Sequence, residues 1–327
     1  MKADKILETS SSSGIQDKLF TKTSWTPVEI ESIESIPKGD MPGDKVIIGP
    51  DNIKKAQTIF PVILDLLIPV LKEHPKQRAV ISVFGGSGVG KSGIASLISY
   101  YLNELKIGSY TISGDNYPHR IPKYNDAERL RVFRQSGIRG LLAHGKYRKD
   151  FAQVLKDLQQ KGVDSDPEYA REYSWLKLYQ ESGRNGLKNY LGTEREINFQ
   201  ELNSIIARFK NGEDSIYLKR MGREETDLWY EEVDFADKDV MILEWTHGNN
   251  HNLQGIDFPI MLNSTPKETL EQRKSRNRGD DTDSPFIKMV LALEQEILIS
   301  QAKRAKMIVA QSGEIVSYRD FVSVMLE

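Results

Sequence analysis

The sequence predicts an α/β fold, a parallel sheet flanked by helices, with a largely helical insertion and an irregular N-terminal arm. Three observations carry this. Short apolar runs alternate with helical patterns, as in sheets covered on both faces. A glycine-rich segment joins the first complete run to the helix after it. A long charged stretch, too irregular for a sheet, separates the second run from the third.

Taken in order, residues 1–45 are rich in Ser, Thr, Lys and Pro and lack a sustained apolar period, which marks them as an arm laid on the body. A helical pattern runs from Asp51 toward Lys72 and ends at the HPKQ stretch, 74–77. Buried-looking strands are expected at 79–84, 109–113, 239–243, 258–262 and 307–310. Helices are expected at 92–105, 266–276 and 285–303. Between Asp115 and Glu244 the chain is mostly charged and helical, with scattered Gly and aromatic residues, and reads as an insertion over about 126–230.

The 327 residues are 39% hydrophobic and 28% charged, sufficient for one large core or two. Forty-five Lys and Arg oppose 47 Asp and Glu, so no bulk cationic field exists to hold nucleic acid or an anionic membrane. With no cysteine there is no disulfide, thiolate zinc site or thiol nucleophile, a composition that fits the cytoplasm. The start lacks the apolar segment of a secretory signal. The most apolar stretch, 59–71, holds Pro61, Asp65 and Pro69 and falls short of the roughly 20 residues of a membrane span. It reads as a buried helix punctuated by proline.

Gly85-Gly86-Ser87-Gly88-Val89-Gly90-Lys91-Ser92 carries the spacing Gly, four free positions, Gly-Lys and a hydroxyl residue. A strand pattern precedes it, and Gly93 continues into an apolar helix pattern. Glycines let backbone N–H groups turn inward around phosphate oxygens, and the helix presents its positive end to them. Lys91 would reach the outer phosphates and Ser92 would ligate magnesium. The sheet is therefore expected to be of P-loop NTPase type, binding a nucleoside triphosphate.

Acceptor chemistry needs further groups. Asp115, in SGDNYPHR, stands at the end of a strand, where ligands gather in open parallel sheets. A carboxylate there can take the proton of an attacking hydroxyl; a turn Asp capping its own backbone is the other reading. Glu244 ends the apolar run DVMILE and is a candidate for the metal side, or else a solvent-facing strand end. Arg273 and Arg276 would share a helical face and, with Arg278, could close over the phosphates: the first two as catalytic cations, the third on the nucleotide. Basic runs near helix ends are also common solvated features. On the acceptor side Tyr117 and His119 are pocket candidates. Arg120, Arg134 and their basic neighbours over 120–139 would favour an acceptor carrying phosphate or sulfate, unless they form a solvated helix face beginning at Asp126. The segment 216–223 offers a further aromatic and basic contact, or an edge strand.

These elements, in this order, resemble the phosphoribulokinase and uridine kinase family of P-loop kinases. FGGSGVGKS is similar to that family's phosphate loop, SGDNYPHR to its strand-end Asp, MILEWTHG to its strand ending in Glu, and LNSTPKETLEQRKSRNRGD to its arginine-bearing lid. The resemblance spans about 79–310 and makes 46–327 one kinase domain. It implies ATP, Mg2+, Asp115 as base, and a small-molecule hydroxyl acceptor, for which a sugar-phosphate or nucleoside type is expected; the charge balance and hydropathy add the expectation of no nucleic acid or membrane partner, and a homo-oligomer is left open. A local resemblance to adenylylsulfate kinase rests on GDN, His119 and NDAERLRVFR. The chain departs from the first family at Trp245, where Gly is usual, and in the acidic Asp280, Asp281 and Asp283 after the lid. A regulatory nucleotide switch is the alternative from another class; its GTPase form lacks the Asn-Lys-x-Asp motif.

Overall fold

The computed structural model describes residues 25–44, 46–264 and 284–326, the side chains of 324–326 excepted. The 266–276 helix, with Arg273, Arg276 and Arg278, lies outside the described residues.

Helix α1 (Pro50–Glu73) opens on a proline, which needs no N–H in the first turn, and Asn52 Oδ1 accepts from Gly49 N at 3.0 Å. It runs through Pro61 and Pro69 without ending, because Ile59, Ile63, Leu67 and Leu71 keep one stripe buried. Strand β1 (Ala79–Gly85) is buried along its whole length. It feeds α2 (Lys91–Glu104) and then β2 (Ser109–Ser113).

The insertion follows: α3 (Pro122–Ala143), α4 (Lys149–Gln160), the short α5 (Tyr169–Glu172), α6 (Ser174–Lys188) and α7 (Phe199–Lys210). It is not helical to its end. Strands β3 (Ser215–Met221) and β4 (Leu228–Asp234) form a separate antiparallel hairpin, of which β4 was not expected because its outward residues show no apolar alternation. Helix α3 also begins at Pro122 rather than Asp126, again with proline in the first turn. Helices α3 and α6 meet through glycines: added β-carbons at Gly140 and Gly186 would lie 2.0 Å from Ser182 and Ser136.

The chain re-enters the sheet with β5 (Val240–Trp245) and β6 (Phe258–Leu262), then α8 (Pro285–Ala302), β7 (Met307–Val309) and α9 (Tyr318–Leu326). The sheet is parallel throughout, in the order β2-β5-β1-β6-β7. Register places Ser113 beside Glu244, and Phe84 beside Trp245. The carboxyl ends of β1, β2 and β5 therefore finish level, which brings the glycine loop, the Asp115 turn and Glu244 to one rim. One face of the sheet is buried under α1 and α2, and the other under α7 and the hairpin. Among the described residues, no helix is long and apolar enough to cross a membrane.

Candidate active site

The loop from Gly85 to Gly93 turns from the end of β1 into the first turn of α2. Gly85 presses on β6, where an added β-carbon would stand 2.4 Å from the Leu262 carbonyl oxygen. Gly88 and Gly90 hold φ of 84° and 91°, left-handed values that glycine adopts freely and that turn successive N–H groups inward. Lys91 Nζ donates to the Gly86 carbonyl at 3.1 Å and stands 4.0 Å from Glu244 Oε1. Both side chains are nearly enclosed, and Ser92 beside them is buried. The ammonium thus rests between its own loop and a strand-end carboxylate. Ser92 and Glu244 fit a hard cation held partly by phosphate, since a hydroxyl and a carboxylate are both oxygen donors.

Asp115 lies in the short turn Gly114–Asn116 after β2, with its side chain exposed. Its charge, with that of Lys91, acts on two groups sequence reasoning did not single out, His247 and Glu294. These belong to a buried constellation behind the rim. Arg129 Nε donates to Glu196 Oε1 at 2.6 Å, and Nη2 stands 3.5 Å from Glu294. Glu196 also accepts from Gly192 N at 2.7 Å and Asn125 Nδ2 at 3.1 Å. Burial pushes the Glu196 carboxyl up, but Arg129, His247 and the Gly192 amide outweigh it and hold it below the usual range. Burial lifts Glu294, against the pull of Arg129. His247 is pushed down to about 4 by burial, so its ring is neutral at pH 7, and its Nδ1 has no hydrogen-bond partner among the described residues. The signal available in sequence was MILEWTHG itself: a His three residues beyond a strand-end Glu must sit near the same rim.

The remaining candidates are placed differently from expectation. Tyr117 does not line a pocket: it is fully buried in the core with Phe199 and Trp245, its hydroxyl without a hydrogen-bond partner among the described residues. A residue four positions past a strand end can fold back under the sheet, and this one does. His119 is exposed and its Nε2 pairs with the Glu194 carbonyl at 2.8 Å. Arg120 reaches the Tyr190 hydroxyl at 3.3 Å and Glu128 at 3.8 Å. Arg134 turns into the insertion, where Asp164 and the Gln159 carbonyl hold it at 2.9 Å. Arg131 is paired with Glu128 at 2.6 Å. Arg120, Arg129, Arg131 and Arg134 are thus each paired with a carboxylate of the insertion and do not form a bare cationic wall. In the 216–223 segment two of the basic residues turn inward: Arg220 is buried against Asp40 at 2.7 Å, and Lys219 donates to the Pro118 carbonyl at 3.1 Å. Trp245 faces Gly114 and meets the His247 ring edge to face at 5.2 Å.

No family model matches the chain. Over 242 residues, 74% of its length, it is 39% identical to the bifunctional alpha-galactosidase/sucrose kinase AgaSK of Mediterraneibacter gnavus. The chain spans about a fifth of that relative, 21%. Among solved structures, the D-glycerate 3-kinase of Cryptococcus neoformans aligns over 79% of this chain and 98% of its own, at 12% identity and a TM-score of 0.44. A possible uridine kinase of Bacillus stearothermophilus aligns over 76% and 98%, at 15% identity and a TM-score of 0.36.

Proposed function

We propose that this chain, a P-loop protein with a five-stranded parallel sheet, is an ATP-dependent kinase that phosphorylates a hydroxyl of a small, uncharged carbohydrate. The observation that carries the reading is the level rim on which Lys91, Glu244 and the Asp115 turn converge. The sequence relationship to a protein named for sucrose kinase activity supports the sugar class.

In this reading the loop amides and Lys91 gather the charge of the triphosphate. Ser92 and Glu244 would hold Mg2+, which supplies neutralisation of the phosphate oxygens. Asp115, open to solvent at the rim, orients the acceptor hydroxyl and takes its proton. The hydroxyl oxygen bonds to the γ-phosphorus as the bond to the bridging oxygen breaks, and ADP leaves. The expected lid, Arg273, Arg276 and Arg278, would add cations over the transfer.

An uncharged acceptor replaces the anionic one expected from the 120–139 run. Arginines already paired with Glu128, Asp164, Glu196 and Glu294 have little left to offer a phosphate or sulfate. With those cations already spent, hydrogen bonding rather than free positive charge is left to meet the acceptor, which suits alcohol groups. The test is ADP release with ATP, Mg2+ and a panel of neutral sugars, sugar phosphates, nucleosides and adenylyl sulfate, using wild type and Asp115→Asn. Turnover only with neutral sugars, strongly lowered but still measurable in the variant, is expected. Slow hydrolysis indifferent to the panel would identify a nucleotide switch, and preference for an anionic acceptor would overturn the assigned class.

A further inference from the structure

The segment carrying Asp115 is tied down from an unexpected quarter, the N-terminal arm. Asp40 is buried, and its Oδ1 accepts from Ser113 N at 2.6 Å and from Asn116 Nδ2 at 3.1 Å. Those two residues bracket Gly114 and Asp115. The other oxygen, Oδ2, receives Arg220 Nη1 at 2.7 Å and the Tyr110 hydroxyl at 3.5 Å. Asn116, fully buried, closes the circuit by accepting from Met221 N at 3.0 Å. Arg220 is fixed in turn by Glu231 at 2.9 Å and by the Tyr110 hydroxyl at 2.8 Å. One arm carboxylate therefore joins the last residue of β2, the turn after it and the hairpin of the insertion.

Burying a carboxylate is costly, and burial raises its proton affinity even against Arg220. A polar arm laid on a surface for cover alone has no need of such a group. Its oxygens instead go to the amide and side-chain donors on either side of an exposed Asp115, whose own backbone hydrogen bond, to Ser113 Oγ at 3.4 Å, is long.

We infer that Asp40 is a positioning residue for Asp115, so that the N-terminal arm is a working part of the transfer site. The inference rests on the kinase reading for its catalytic consequence, whereas the tether itself does not. Misplacement of a reacting group by an ångström costs on the order of 100-fold in rate. Asp40→Ala should lower kcat by about 10- to 100-fold, with KM for ATP within about twofold, since the Asp40 carboxylate bonds to Tyr110, Ser113, Asn116 and Arg220 and not to Lys91 or its loop. Amide exchange over 109–117 should quicken in the same variant while β1 keeps its protection. In an Asp115→Asn background, Asp40→Ala should cost little more, because both changes act through one group. Asp40→Asn keeps an oxygen toward Ser113 and removes the charge toward Arg220; it should retain protection over 109–117 and recover most of the rate.

Unchanged exchange over 109–117 in a folded Asp40→Ala chain, or rate losses that multiply in the double variant, would overturn the inference. If Asp40→Ala does not fold, Asp40→Asn decides: loss of protection over 109–117 there overturns the tether, and its retention supports it. Should no acceptor support turnover by the wild-type chain, the kinase reading falls, while the exchange comparison still judges the tether.

Discussion

Trp245 stands so close over Gly114 that a β-carbon on that glycine would fall 2.1 Å from the indole Cγ. The contact joins the strand end carrying Glu244 to the turn carrying Asp115, with no side chain between them. Gly114→Ala must push one away from the other. The expected cost is about 1–3 kcal/mol of stability, as for other overpacked sites, together with a clear loss of kcat. Thermal melts and turnover on the same preparation check this; an unchanged melting temperature with full turnover would sink it.

Lys91→Met removes the ammonium that bridges the loop and Glu244. Nucleotide affinity by calorimetry should fall at least 10-fold, and turnover by several orders of magnitude, with little change in unfolding free energy. An affinity indistinguishable from wild type would remove Lys91 from the phosphate site.

Glu196→Ala takes from Arg129 its shortest ion pair, leaving Glu294 and the exposed Asp126, and strips partners from Gly192 and Asn125. A loss of about 3–5 kcal/mol in urea unfolding is expected, the usual cost of breaking a buried pair on one side. A change below about 1 kcal/mol would show that the constellation is not structurally committed.

Arg134→Ala should behave as a stability variant. Its guanidinium is spent on Asp164 and Gln159, so the melting temperature should drop while the acceptor KM stays within about twofold. A tenfold rise in acceptor KM in a normally folded variant would return Arg134 to the site.

Two buried groups should oppose each other between about pH 4 and 6. Burial pushes Asp40 up to about 6 and His247 down to about 4. On acidification the native state protonates Asp40 before the unfolded chain does, so the Asp40 contribution grows as pH falls and is lost as pH rises through 6. His247 does the reverse: the unfolded chain takes the proton first, and stability is lost as pH falls from 6.5 toward 4. Each effect is bounded at roughly 3 kcal/mol, at 1.36 kcal/mol per unit. Relative to wild type, His247→Gln should gain stability at pH 4.5 over pH 7, and Asp40→Asn should lose it. Urea unfolding at the two pH values reads both, and shifts of the same sign would contradict the assignment.

What the sequence disclosed was local. The glycine spacing of 85–92 and the strand ends at Asp115 and Glu244 were legible because phosphate binding and strand termination are written in consecutive residues. Tyr117 was misplaced because the direction of a side chain beyond a strand end depends on what packs beneath it, here Phe199 and Trp245. The charge run over 120–139 looked cationic because its neutralising partners, among them Asp164, Glu196 and Glu294, are distant in sequence. Asp40 gave no signal for the same reason.

The Asp40 and Arg220 pairing closes across 180 positions, and this has a bearing on how the chain is made. At about 5–20 residues per second of synthesis, the arm waits some ten to forty seconds after its own emergence for the strand that receives it. Until then a carboxylate destined for the interior stays in water, and the Asp115 turn lacks its outer support. On the proposed kinase reading, full activity is therefore expected only once the hairpin has been made and the arm has docked on it.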